Sequence, residues 1–359
     1  MTQAVALAQQ ASTGVSPGFR NRIINGRMQI SQRGTSFTGI STDGPYTIDR
    51  FQYAMNGGGA VSSSQSSTSP AGFSNSLLTT VTTADGTVAS SSYYQVRQVI
   101  EGFNIADLNW GTANSKTVTV SFWVNCSVVG TYTFTLRNTG GAVSYVTTYS
   151  IPAANTWTYI TITVPGPTIG TWGSTNDIGI FATWDFGTGS TSVTSSTNTW
   201  IVGNFTGATG ATKLINTNGA TFYLTGVQLE VGSTATSFDT RSYGTELQLC
   251  QRYYWAYIAD VAYARFVSGF IGATTSARFV YSFPVDMRTS PTGSATGSFA
   301  VYHGADAVTA VTGINIGDLG SSSAAIAADV ASGLTVGGGA LLIANNSASA
   351  RFNFSAELS

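Results

Sequence analysis

Apolar and polar positions alternate in a series of short segments separated by turn residues. In KTVTVSFWVNC, residues 116–126, Val118, Val120, Phe122, Val124 and Cys126 fall on one side, with Thr119, Ser121, Trp123 and Asn125 on the other. That is the period of a half-buried strand. TYTFTLRN, WTYITITVP, DIGIFATW and ATFYLTGVQLEV repeat the pattern between clusters of Gly, Pro and Asn, which predicts an antiparallel sandwich over residues 20–243. The tracts 56–70 and 187–198 read as rim loops in which short edge strands could hide.

From Thr245 the spacing becomes helical. Thr245 and Gln248 have capping-box spacing, Glu246 suits the positive end of a helix, and Leu247, Cys250 and Tyr254 share one face. A connector helix is expected over 244–255, with Thr245, Leu247, Cys250 and Tyr254 forming an interdomain joint. Strand-like runs resume afterwards, so residues 256–359 are expected to form a smaller C-terminal β-sandwich. Before the first strand, Ala4, Leu7, Ala8 and Ala11 line one helical face within residues 1–19, which reads either as a frayed terminus or as a docking peptide that orders on a partner.

Composition narrows the function classes. Only 9% of the 359 residues are charged and the formal net charge is −1, so no basic field exists to attract nucleic acid. No apolar run reaches membrane-spanning length, and the start lacks the positive region of a secretion signal; neither membrane insertion nor export by that route is expected. Cys126 and Cys250 are expected as buried thiols rather than a bridge.

Catalysis needs a constellation of groups. His303 is the single histidine, which excludes a metal centre of several imidazoles and leaves any serine triad dependent on it, with no nucleophile-elbow motif in support. Glycoside hydrolysis needs two carboxylates about 5–10 Å apart. Asp43, Asp49, Glu101, Asp107, Asp177, Asp185, Glu230 and Asp239 form no local pair on a strand face, although distance in sequence leaves proximity in space open. Asp49 beside Arg50, and Glu101 after Ile100, read as hydrogen-bonded anchors. No DxDxDG loop points to structural calcium, and no cofactor or metal is expected. Sugar recognition would instead use flat aromatic faces flanked by polar groups. Trp172, amid the turn residues of TIGTWGSTND, is the first candidate, followed by Trp110 and Trp184; Trp123, Trp157 and Trp200 read as packing. For each candidate, burial is the competing reading.

FRNRIINGRMQISQRGTSF, YTIDRFQYA, QVIEGFNIADLNWGTANSKTVTVSFWVN, GVQLEVGSTATSFDTRSYGTELQLCQRYY, FPVDMRTSP and RFNFSAEL together resemble phage and prophage tail-fibre proteins, over nearly the whole chain after Phe19. The block from GVQLE to CQRYY is the most distinctive. The resemblance implies an all-β chain: a jelly-roll sandwich resembling carbohydrate-binding modules, then a C-terminal β domain, assembled as a homotrimer in a virion. It further implies host attachment through a surface glycan and contact with other virion proteins through the N-terminal peptide. The expected location is the virion, and outside the host after lysis. A capsid or head decoration fibre and a glycan-degrading tailspike are the alternatives. No catalytic residue transfers.

Overall fold

The computed structural model describes residues 19–304 and 306–358; the docking-peptide expectation for residues 1–19 falls almost wholly outside them. The chain is all-β and divides into two compact units, a first running to Glu246 and taking in Leu358, and a second from Leu247 to Glu357.

The first unit is an antiparallel jelly-roll sandwich of two six-stranded sheets. One sheet runs β1 (Ser36–Ile40), β3 (Ala60–Ser66), β4 (Ser76–Thr83), β14 (Thr221–Val231), β6 (Val118–Cys126), β9 (Thr158–Val164). The other runs β12 (Trp200–Val202), β8 (Val143–Ile151), β7 (Gly130–Arg137), β10 (Ile178–Thr188), β5 (Tyr93–Glu101), β2 (Phe51–Asn56). A short parallel ladder, β11 (Val193–Thr194) with β13 (Gly207–Ala208), lies apart from both. The alternation sets the layers: Val120, Phe122 and Val124 of β6 are buried in one core with Tyr132, Phe134 and Leu136 of β7 and with Trp184 and Phe186 of β10. Burial of such side chains contributes roughly 1.5–3 kcal/mol each.

The most distinctive sequence blocks meet here. β4 pairs with β14 only as far as Leu224; beyond it the Arg22 N–H donates to the Leu229 carbonyl and the Val227 N–H to that of Gly26. Asn21 Oδ1 accepts the Ile23 and Leu229 amides. Gly26 is required by this approach, since a Cβ there would lie 2.1 Å from the Val227 carbonyl oxygen. Arg241 closes the unit by donating to the Asn21 and Ile23 carbonyls and pairing with Glu246 at 3.3 Å.

In the second unit β15 (Tyr254–Ile258), β23 (Arg351–Ser355) and β18 (Thr292–Thr296) form a three-stranded sheet. β16 (Arg265–Ala273), β17 (Ser276–Ser282), β21 (Ser323–Val330), β20 (Ala307–Gly317), β19 (Phe299–His303) and β22 (Gly339–Ala344) close into a barrel. Where paired sheets were expected, β22 pairs with both β16 and β19 and closes the ring. Inward and outward positions alternate in a barrel as in a sandwich, so the pattern is the same for both.

Helix α1 spans Tyr243–Gln251, which corrects the expected 244–255. Ser242, not Thr245, caps it: the Ser242 hydroxyl accepts the Thr245 amide at 3.3 Å and meets the Thr245 hydroxyl at 2.9 Å. Of the four residues assigned to a joint, Thr245 is exposed, Leu247 is half-buried and Cys250 is buried. Tyr254 opens β15 instead of extending the helical face. Neither cysteine forms a disulfide.

Candidate functional site

The three tryptophans singled out for sugar stacking have separate fates. Trp184 belongs to the core: it is fully buried, with its ring 5.1 Å from Phe134 and 5.5 Å from Phe122. That corrects its assignment as a binding residue. The cause is strand phase, because Ile180, Ala182, Trp184 and Phe186 all lie on the buried side of β10. Trp110 is also buried, and Trp172 is half-buried. These two do come together, with Trp200, in a cluster whose ring centroids are 4.8–5.4 Å apart and near perpendicular. Every indole N–H in it is taken by a loop carbonyl: Trp110 by Lys116 at 2.8 Å, Trp172 by Ile169 at 3.1 Å, Trp200 by Pro165 at 2.6 Å. Trp200 sits in edge strand β12 and Pro165 directly follows edge strand β9, so the cluster fastens the margins of the two sheets.

A different arrangement lies on the outward face of the second sheet. There β10 runs between β5 and β7, with Thr183 opposite Arg97 and Phe181 opposite Arg137. The Arg97 and Arg137 guanidiniums both lie over the Phe181 ring, at 5.0 and 4.7 Å from its centroid. They line an open groove of ≈ 320 Å³ together with Asp43, Tyr93, Gln95 and Asn204. Arg97 Nε donates to Gln52 Oε1 at 2.7 Å, and Arg137 Nη1 to Asn204 Oδ1 at 2.6 Å. Desolvation, and secondarily Arg97, push the Arg137 guanidinium down to about 10, so it remains charged near neutral pH. Burial, then Asp43, pushes the Tyr93 phenol up.

Beneath the groove is a polar floor. Asp185 Oδ1 accepts the Gly187 amide at 3.0 Å and the Thr188 hydroxyl at 2.7 Å. Thr188 is in turn 3.2 Å from the Thr206 hydroxyl and 3.3 Å from Gln95 Nε2. Burial raises Asp185 to about 7 against these hydrogen bonds, which favour its ionised form. On the same sheet face, the buried Thr183 hydroxyl has no hydrogen-bond partner.

The remaining candidate chemistry is anchoring. Glu230 accepts from Gln228 and from the Thr236 amide and hydroxyl, and Asp49 from the Gln32 amide and side chain. Asp107 pairs with Arg22 at 2.8 Å and Lys116 at 3.7 Å. His303 Nε2 lies 2.9 Å from Thr309 Oγ1 across a hairpin. Among the described residues no group of three His, Cys, Asp or Glu side chains is placed to hold a metal ion, and no helix is long and apolar enough to cross a membrane. A larger depression of ≈ 520 Å³ lies on the barrel wall, lined by Phe270, Arg278, Val280 and Asn315.

Apart from Asp43, the groove residues carry neither the tryptophan nor the carboxylate signal that marks a candidate site in the sequence. The available signal was arginine at outward strand positions: Tyr93, Gln95 and Arg97 alternate on β5, as Thr133, Thr135 and Arg137 do on β7. Which outward positions adjoin one another depends on strand order, which alternation does not encode.

No protein-family model matches the chain, and neither does any curated protein. Among solved structures, the enzymatically active domain of bacteriophage CBA120 tailspike protein 4 is 14% identical, covering 61% of this chain, with a TM-score of 0.33; this chain spans only 22% of that one. The C-terminal family 22 carbohydrate binding module of Clostridium thermocellum Xyn10B is 12% identical over 53% of this chain and 91% of its own, TM-score 0.30. TmCBM61, in complex with β-1,4-galactotriose, is 10% identical over 59% and 99%, TM-score 0.29. At these identities and superpositions, the reading of the site rests on its own geometry.

Proposed function

We propose that this chain is a non-enzymatic virion fibre protein of a phage, whose sandwich binds host carbohydrate in the Arg97–Arg137 groove. The observation that carries the binding reading is the groove itself: an open, polar-walled trough on a rigid sheet, where side-chain donors and acceptors converge as hydroxyl recognition requires. A single carboxylate, Asp43, lines it, and Asp185 is held under the floor; two carboxylates flanking a scissile bond are what hydrolysis would need. The virion role rests on the tail-fibre resemblance of the sequence blocks. Assembly as a homotrimer, incorporation through residues 1–19 and location in the virion tail belong to the same proposal, with a head decoration fibre as the alternative. Large apolar side chains exposed on both units, including Phe103, Val202, Phe270 and Val280, support an oligomer.

The test is a glycan array probed with the full-length chain, paired with a reducing-sugar assay on every glycan retained. Retention without sugar release is expected. Release of reducing ends would make the protein a tailspike enzyme, and an array with no retained glycan would remove the binding reading.

A further inference from the structure

Two like charges on one aromatic ring are an unusual thing for a sheet to hold. Arg97 and Arg137 reach Phe181 from neighbouring strands on either side, and repulsion between them contributes to the lowered value at Arg137. Among the described residues, one carboxylate compensates. Arg97 Nη2 is 3.5 Å from Asp43 Oδ1, beyond the usual roughly 2.7–2.9 Å of a charge-assisted hydrogen bond, and the Asp43 side chain is 51% exposed. Tyr93 also hydrogen-bonds that carboxylate. The groove is therefore net positive in a chain of formal net charge −1.

Arg137 carries the stronger indication. It is 9% exposed, yet among the described residues Nη1 is its one side-chain nitrogen with a hydrogen-bond partner, and Nε is buried without one. The two guanidinium carbons lie 5.0 and 4.7 Å from the Phe181 ring centroid, and a guanidinium donates in its own plane, along its edges. Donation from a guanidinium edge matches two coplanar oxygens.

We propose that the groove takes an acidic glycan, a sugar residue whose carboxylate sits between Arg97 and Arg137 while neighbouring hydroxyls meet Asn204, Gln95 and Tyr93. This rests on the preceding reading that the groove binds sugar, and goes beyond it by naming the substrate class. A sulfate ester would offer oxygens of the same charge, so the two sources are separated by experiment.

The full-length protein is titrated calorimetrically with oligomers of galacturonate, mannuronate and sialate, with the carboxyl-reduced counterpart of each, and with a sulfated galactan oligomer, at about 50 and 300 mM salt. At least one acidic oligomer is expected to bind tenfold or more tightly than its reduced form, to weaken with salt as an ion contact should, and to lose its advantage in the double variant Arg97→Met, Arg137→Met. Circular dichroism and thermal unfolding check that the variant is folded, and Arg137→Met alone serves if it is not. Equal binding of acidic and reduced forms would overturn the acidic-glycan assignment while leaving sugar binding in place. Preference for the sulfated oligomer over every carboxylate-bearing oligomer would overturn the carboxylate. Acidic binding that survives in a folded double variant would overturn the role of these arginines. Failure of every oligomer to bind, acidic or neutral, would overturn this assignment, and an empty glycan array would then overturn the sugar reading with it.

Discussion

Two aromatic clusters on the sandwich invite the same interpretation and differ in their donors. At the sheet margins, Trp110, Trp172 and Trp200 have all their indole N–H groups on loop carbonyls, so the cluster is internally satisfied and holds the two sheets together. On the outward face, one phenylalanine supports two guanidiniums, and among the described residues Arg137 has one side-chain nitrogen engaged by a partner. The first cluster has more aromatic surface; the second has hydrogen-bonding capacity left over. Recognition needs the latter, because a ligand hydroxyl or carboxylate leaving water must find a partner at the site. If the proposed groove is the binding site, counting tryptophans points away from it.

The largest expected difference between the regions is in pH dependence. Asp185, under the groove, is raised from 3.8 to about 7 by burial. Between about pH 4 and 7 the native state keeps a proton that the unfolded chain has released, so stability falls as pH rises through that window and levels off above it. At roughly 1.4 kcal/mol per unit the loss is on the order of 2–4 kcal/mol. Urea midpoints at pH 4.5 and 8 measure it, and Asp185→Asn should flatten the difference, since an amide oxygen can still accept from Gly187 and Thr188 without ionising. The margin cluster contains no titrating group, so Trp200→Phe should leave the pH slope as in the parent. An unchanged slope in Asp185→Asn would place the sensitivity elsewhere.

Next in size is the margin cluster itself. Trp200→Ala removes two indole contacts and the bond to Pro165. For a half-buried tryptophan, the expected cost is about 2–3 kcal/mol, below the roughly 3–5 of a fully buried one. Urea unfolding at fixed pH reads the loss, and glycan retention by the folded variant should match the parent. Lost retention with unchanged stability would reverse the comparison and make the tryptophans the binding surface.

How much of this was visible in the sequence follows the same division. Alternation within a strand is local, so the buried side of β6 could be named residue by residue, and the phase of Ile180, Ala182, Trp184 and Phe186 held the information that Trp184 points inward. The helix after the sandwich was visible, but SYGTELQ offers two hydroxyl caps, and Ser242 rather than Thr245 accepts the orphan amide. Closure of the C-terminal strands into a barrel is invisible to a period of two. The groove was the least legible feature: Arg97 and Arg137 are far apart in the chain and meet only because β10, later than both, pairs between their strands.

The smallest expected effect sharpens the comparison from the other side. A side chain kept for packing costs stability when it is removed, whereas one kept for recognition need not. Arg137 is buried as a charge beside a second guanidinium, its carbonyl-amide partner Asn204 is exposed, and its Nε is unsatisfied. Desolvation therefore works against the native state, and replacing such a group by an apolar one of similar length is often neutral or stabilising. Methionine keeps an unbranched stem against Phe181 and makes favourable sulfur–ring contacts. Arg137→Met should accordingly shift stability by no more than about 1 kcal/mol, within the range of conservative substitutions, and in the stabilising direction if desolvation outweighs the bond to Asn204. Paired urea titrations of parent and variant at pH 7 decide it. A loss of several kcal/mol would mean that Arg137 holds the sheet face together, and the contrast between a satisfied margin and an unsatisfied groove would lose its second half.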